Sequence, residues 1–413
     1  MVSDPDILQQ IYITNFSQFG ESFSMESDDP IDTSNLLVQS GDDWKRTRSA
    51  ITTIFTTNKL RNMTTMMNPC MKKLDQILED HATNGKDFFG ETVFSISILD
   101  FVVKCFYGLD IDVYSDKNQI FVKSAKGILG GATAWNMLLS ENLPSWLMSV
   151  VGTTLANTDS AAYFTDMVKK TIAQRTDADK HRQDLVQLMI EARDKNENNE
   201  TKGLNEYEVI SNAITFFAVG FDTSKNTAAL FLYNMAKYPD VQEKVYQELR
   251  DKLGDKPTEE LTYDDYSALS YLEATIQESL RIFSIDCRGF RQATVDTTIP
   301  NSDVKLPKGT RINIPFYAVH FDERNFEEPQ KLIPERFLEK DRVKPCTMLS
   351  FGAGPRYCIG QRFAMLSIKI TLANVLRNYR IEKSASTPEE FINKVGYFMT
   401  EPSDIAVKLV KRK

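Results

Sequence analysis

The sequence predicts a mainly helical fold with a minor β part, an α+β arrangement, and three stretches carry that prediction. From about Asn205 to Tyr238 a helical pattern runs without an interior proline. Beyond Cys358, the apolar residues Phe363, Leu366, Ile370, Ala373 and Leu376 recur every three or four positions, which describes a helix with one buried face. Against these, Arg311-Ile312-Asn313-Ile314 alternates across the turn-rich Pro300-Asn301-Ser302-Asp303 and Leu306-Pro307-Lys308-Gly309, the pattern of a small hairpin-like sheet that also takes in Arg288 and Arg291.

The chain has 413 residues, and no linker or break in composition divides it, so a single domain over 1–413 is expected, with a helix-rich and a strand-rich part. A net charge of −8 with both signs interspersed argues against a nucleic-acid partner. Cys70, Cys105, Cys287, Cys346 and Cys358 are odd in number and scattered, with no CxxC spacing, which points to a reducing compartment and an intracellular location. His81, His181 and His320 lie far apart and read as surface or core histidines. No apolar run reaches the length of a membrane span, and the first residues lack the basic start and apolar middle of a signal peptide.

In chain order, Asp4 to Phe16 predicts a short helix through Ile7, Leu8, Ile11 and Ile13, and residues 17–43 read as a polar loop. Asp42-Asp43-Trp44-Lys45-Arg46-Thr47-Arg48 opens a helix whose first-turn acids suit its dipole, with Trp44 and Arg48 on one face. Residues 60–200 are mostly helical by pattern, broken near Asn84-Gly85 and Gly130-Gly131. The segment from Glu141 to Val151 is more apolar than its flanks and suits either the core or a roof segment dipping into a bilayer surface, with Trp146 at the interface. The polar run from Asn196 to Lys202 reads as a solvated loop.

Asn205 with Glu208 forms a capping-box variant at the start of the long helix, and Pro239 stops it. At its centre, Val219-Gly220-Phe221-Asp222-Thr223 sets a glycine, an acid and a hydroxyl against helix propensity, so the turn needs another reason: a groove at Gly220 and a hydroxyl back-bond from Thr223, or a kink with a solvated acid. Asp240 with Glu243 predicts a capping pair for a helix ending at Gly254. A further helix, near Leu269 to Phe283, carries Glu278 and Arg281 as neighbours on one face.

The organising stretch is Phe351-Gly352-Ala353-Gly354-Pro355-Arg356-Tyr357-Cys358-Ile359-Gly360. It places Cys358 at the N-terminus of a helix, where unpaired first-turn N–H groups favour thiolate over thiol. Glycines at 352, 354 and 360 carry no Cβ and let the backbone approach something flat. The spacing F-x-x-G-x-R-x-C-x-G resembles the haem-binding loop of the cytochrome P450 family, and the resemblance extends over essentially the whole chain. Over His181-Arg182-Gln183-Asp184-Leu185-Val186-Gln187-Leu188-Met189-Ile190 the chain resembles the eukaryotic microsomal type, closest to the family-3 branch.

That resemblance implies haem b with Cys358 as the axial ligand of its iron. It implies contacts to the cofactor from Phe351 and Gly360 in the loop, from Gly220 in the long helix, and from Trp44, Arg48, Arg291 and Arg356, the last four near the propionates. Asp222 and Thr223 resemble the acid and alcohol that deliver protons on the distal side. Glu278, Arg281 and Arg336, in Pro334-Glu335-Arg336-Phe337, resemble a buried structural triad. Two departures are visible: Val219 where alanine is usual, narrowing the pocket, and Ser284 where proline is usual. The strand turn Val395-Gly396-Tyr397-Phe398 resembles the rear of the substrate pocket.

The implied function is a monooxygenase that takes electrons from NADPH through a separate reductase, with cytochrome b5 as a further partner. It inserts one oxygen atom into an apolar small molecule of xenobiotic, steroid or fatty-acid-like type. Lys45, Arg46, Lys59, Arg61 and Arg362 are the expected basic docking groups. The resemblance also implies the cytosolic face of the endoplasmic reticulum, yet the chain opens at Met1-Val2-Ser3-Asp4-Pro5-Asp6, where an anchor and the first strands are expected to have ended. The expected fold is therefore one lacking that anchor and those strands, with an unpaired sheet edge. The alternative reading is a haem- or ligand-binding protein, or a truncated isoform, without turnover; a peroxide-using or isomerising enzyme is disfavoured by the presence of both Asp222 and Thr223.

Overall fold

The computed structural model describes residues 1–22, 29–127, 147, 158–197, 203–339, 342–390, 394–395, 399–401 and 405–412. The chain forms two compact units: one of Met1–Ser22, Asn68–Phe94 and Thr223–Lys413, the other of Phe23–Met67 and Ser95–Asp222. Among the described residues every strand lies in the first unit. No helix among them is long and apolar enough to cross a membrane. The break at Gly130-Gly131, the apolar segment around Trp146 and the turn at 396–398 lie outside the described residues.

The long helix spans Glu206–Lys237, and the boundary between units falls within it, between Asp222 and Thr223. Its start is the predicted box: Glu208 N–H donates to Asn205 Oδ1 (2.9 Å) and Asn205 N–H to Glu208 Oε2 (2.8 Å). The next helix, Pro239–Leu253, starts differently from expectation. Pro239 occupies its first position after Tyr238, and no side chain caps it, so the Asp240–Glu243 pair is not a cap; a proline there has no N–H to satisfy and a preset φ. Gly254 ends that helix at φ 53°, as Gly85 ends Met71–Asn84 at φ 59°.

Two predicted loops are shorter than expected. The short helix Phe16–Phe19 runs into the start of 17–43, and within that stretch the short helix Pro30–Thr33 is capped by Asp29, whose Oδ1 accepts from Ile31 N–H (2.8 Å). Helix Leu185–Glu197 takes in Asn196.

In the first unit, strands Arg288–Gln292 and Arg311–Pro315 pair antiparallel with Arg291 opposite Ile312. Pro5–Gln9 and the wider helical turn Gln10–Thr14 bury Leu8, Ile11 and Tyr12 against Ile312, Ile314, Phe316, Val319 and Leu349. This small core fixes Tyr12 beside the cysteine loop. A three-stranded sheet of Phe88–Phe89, Ala406–Lys411 and Tyr379–Lys383 completes the unit. In the second unit, Phe121, Phe164 and Phe217 pack together, with Phe164 and Phe217 ring centroids 4.3 Å apart. Tyr107 Oη donates to the Ala213 carbonyl (3.0 Å), and burial pushes that phenol far above its ordinary value.

Candidate functional site

The cysteine loop is held by its own backbone. Cys358 N–H donates to the Phe351 carbonyl (2.8 Å), Gly352 N–H to Leu349 (2.7 Å) and Tyr357 N–H to Gly354 (3.0 Å). Helix Gln361–Asn378 starts three residues after Cys358, with Gly360 as its N-cap. Cys358 is exposed, whereas Cys70, Cys105 and Cys346 are buried and Cys287 is half-buried, where burial pushes the Cys287 thiol up. An exposed sulfur on a rigid loop ahead of a helix is the pattern of a ligand or nucleophile rather than of core packing.

Two of the loop glycines have reasons inside the protein. Gly352 and Gly354 sit at φ +71° and +70°, and a Cβ at Gly354 would lie 2.0 Å from the Tyr12 carbonyl oxygen. Gly360 meets nothing within 4 Å. Arg356 Nε donates to the Gly20 carbonyl (2.5 Å), and Nη1 lies 3.4 Å from Ser22 Oγ. Phe351 is half-buried.

Behind the loop lies a saturated polar network. Arg281 Nε and Nη2 reach the two oxygens of Glu278 (2.7 and 2.9 Å), and Arg336 Nε reaches Glu278 Oε1 (3.2 Å). Ile333 N–H also donates to that oxygen (3.0 Å), while Arg281 donates to the carbonyls of His320 (2.9 Å) and Pro329 (2.8 Å). Glu278 and Arg281 are fully buried, which charged groups tolerate only when so completely bonded. His320 joins this network to the loop: its Nδ1–H donates to the Arg281 carbonyl (3.1 Å), and its Nε2 accepts from Leu349 N–H (2.9 Å). Burial and the nearby Arg281 charge hold His320 neutral, pushing its pKa down to about 3.

Arg291 is bonded differently. Its guanidinium lies 4.5 Å from the Tyr12 ring centroid, Nη1 donates to the Phe290 carbonyl (2.8 Å), and the buried Nε has no acceptor. Burial depresses its pKa, and it raises that of Tyr12 to about 12 despite the opposing Arg291 charge. A buried cation with no carboxylate among the described residues and one idle donor suits an anionic ligand.

In the long helix, Thr215, Val219, Gly220 and Thr223 keep partial exposure along one face, while Phe216, Phe217, Ala218, Phe221 and Asp222 are buried. A Cβ at Gly220 would come 3.3 Å from the Phe106 ring. Thr227 Oγ1 donates to the Thr223 carbonyl (2.7 Å), and the helix continues unbroken. In helix Gly41–Thr52, Trp44 is buried and Arg48 half-buried. Arg46, expected on a docking surface, instead clamps Glu208 and the Gly203 carbonyl. Burial raises the Glu208 carboxyl, but the hydrogen bonds from Arg46 and Asn205 N–H outweigh it and hold the group below its ordinary value. Lys45 pairs with Asp42 (2.9 Å) on the surface, Lys59 donates to Gln183, and Arg362 donates to Tyr263 Oη (3.2 Å).

A mainly helical fold with a minor sheet, and a cysteine exposed on a bonded loop ahead of a helix, go with the family match: the chain belongs to the cytochrome P450 family, whose profile matches residues 1–409. It is a monooxygenase of the oxidoreductase class with haem as cofactor, of eukaryotic type and close to family 3. It is 31% identical over 399 residues to cytochrome P450 3A29 of Sus scrofa, covering 94% of this chain and 77% of that one. Cytochrome P450 3A7 of Homo sapiens is 28% identical over 424 residues, covering 100% and 82%. The probable cytochrome P450 6a13 of Drosophila melanogaster is 30% identical, covering 94% and 78%.

Proposed function

We propose that this chain oxidises apolar small molecules, inserting one atom of dioxygen, with electrons delivered from NADPH through a reductase. The observation that carries the reading is the exposed Cys358 on its bonded loop. When bound, haem b supplies the redox chemistry that activates dioxygen. Cys358 would supply the thiolate that holds the haem iron. Arg291, with its idle Nε, would take a propionate, together with Arg356, Trp44 and Arg48. Phe351, Gly360 and Gly220 would face the macrocycle.

On the long helix, Thr223 and the buried Asp222 would hold and pass protons at the Thr223 hydroxyl and the Asp222 carboxyl. Val219, on the partly exposed face, would narrow the space for substrate. Glu278, Arg281 and Arg336 hold the loop and touch no substrate. Lys45, Lys59, Arg61 and Arg362 are the basic groups offered to an acidic reductase, with Arg46 withdrawn to Glu208. Reconstitution with reductase and NADPH tests the reading. Substrate-dependent NADPH consumption with oxygenated product supports it, and haem-loaded protein that consumes no NADPH contradicts it.

A further inference from the structure

Two buried side chains of the first unit keep hydrogen-bond donors that the protein leaves unused, and they lie against each other. One is Arg291, whose Nε has no acceptor. The other is Tyr12, only 1% exposed, whose hydroxyl makes no hydrogen bond among the described residues. The Arg291 guanidinium lies over the Tyr12 ring, 4.5 Å from its centroid.

The strand that carries Arg291 is shaped to admit the tyrosine. Gly289 and Arg291 are two apart on strand Arg288–Gln292, so they face the same side of it. A Cβ at Gly289 would come 3.2 Å from Tyr12 Oη and 2.7 Å from the Phe316 ring. Glycine inside a strand marks the close approach of another group, and here that group is the Tyr12 hydroxyl, on the face from which Arg291 projects. At its other end Tyr12 meets the cysteine loop, where its carbonyl oxygen fills the place a side chain at Gly354 would take.

Burial keeps the phenol protonated, raising its pKa to about 12 although the Arg291 charge opposes this, so Oη retains a proton to donate. A desolvated phenol and a desolvated guanidinium, each with a donor to spare, suit one carboxylate that accepts from both. Leaving such donors unmade is costly, and a carboxylate completes the pair.

Building on the reading of Cys358 as a haem ligand, we infer that Tyr12 is a cofactor-binding residue whose hydroxyl donates, together with Arg291 Nε, to one haem propionate. The hydroxyl acts on the carboxylate alone, so a macrocycle without carboxylates gains nothing from it.

The test loads the full chain with haem or with iron etioporphyrin, the same macrocycle bearing only methyl and ethyl groups, and follows transfer of each to an excess of a haem-scavenging apoprotein. Tyr12→Phe keeps the ring beside Arg291 and removes only the hydroxyl. It is expected to lose haem about tenfold faster than the wild type and iron etioporphyrin at the wild-type rate. Equal rates of haem loss from the two proteins, or the same acceleration with both porphyrins, overturn the assignment of Tyr12. The carbon-monoxide spectrum of the reduced, haem-loaded wild type reports separately on ligation by Cys358, so the failure of one reading is told from the failure of the other.

Discussion

Arg281 and Arg291 are both buried arginines of the same unit, ten residues apart in the chain, and they are solvated by the protein in opposite ways. Arg281 has a bidentate carboxylate and backbone carbonyls around it. Arg291 has one carbonyl, one aromatic face and an idle Nε. A saturated buried cation holds a fold together, whereas an undersaturated one is completed by something the chain does not provide.

The sharpest way to break this contrast is to remove the acid shared by two guanidiniums. Glu278→Ala leaves Arg281 and Arg336 buried without their carboxylate and is expected to cost about 3–5 kcal/mol in urea unfolding, or to abolish folding. A smaller loss would mean the network is less closed than its distances indicate. Gly354→Ala drives a methyl group into the Tyr12 carbonyl from a left-handed backbone, and a loss of about 1–3 kcal/mol is expected in the same assay.

His320 extends the saturated side. Because its pKa falls from 6.5 to about 3 on folding, the unfolded chain takes up a proton that the native chain refuses. Stability therefore drops as pH falls from about 6.5 toward 3. His320→Gln, which cannot titrate, should flatten that part of the profile and cost about 1 kcal/mol at neutral pH. An unchanged acid limb contradicts the neutral bridge. On the unsaturated side the expected effect on stability is smallest: Arg291→Met should unfold within about 1 kcal/mol of wild type, since it removes an incompletely paired charge. Haem should nevertheless dissociate faster from it. A large stability loss with unchanged haem retention would place Arg291 with the architecture instead.

What could be read from sequence followed how local each interaction is. Glu278 and Arg281 share one turn, Asn205 and Glu208 one cap, and the cysteine loop is contiguous, so each left a spacing. His320 and Tyr12 gave no such signal, because their partners, Arg281, Leu349, Arg291 and Gly354, are brought to them only by folding. The same reason hid strand Phe88–Phe89, two residues long and paired with Val407 and Ala406 at the far end of the chain. Arg46 misled because a basic residue on a helix reads as surface, and its partner Glu208 lies far along the sequence.

On the proposed reading, the sulfur of Cys358 binds the haem iron. The direct measurement is the absorption spectrum of the reduced, carbon-monoxide-bound protein, compared with that of Cys358→Ser. The Soret band characteristic of thiolate ligation is expected in the wild type and is lost in the serine variant; a band that survives the substitution, or wild-type protein that takes up no haem, overturns ligation by Cys358.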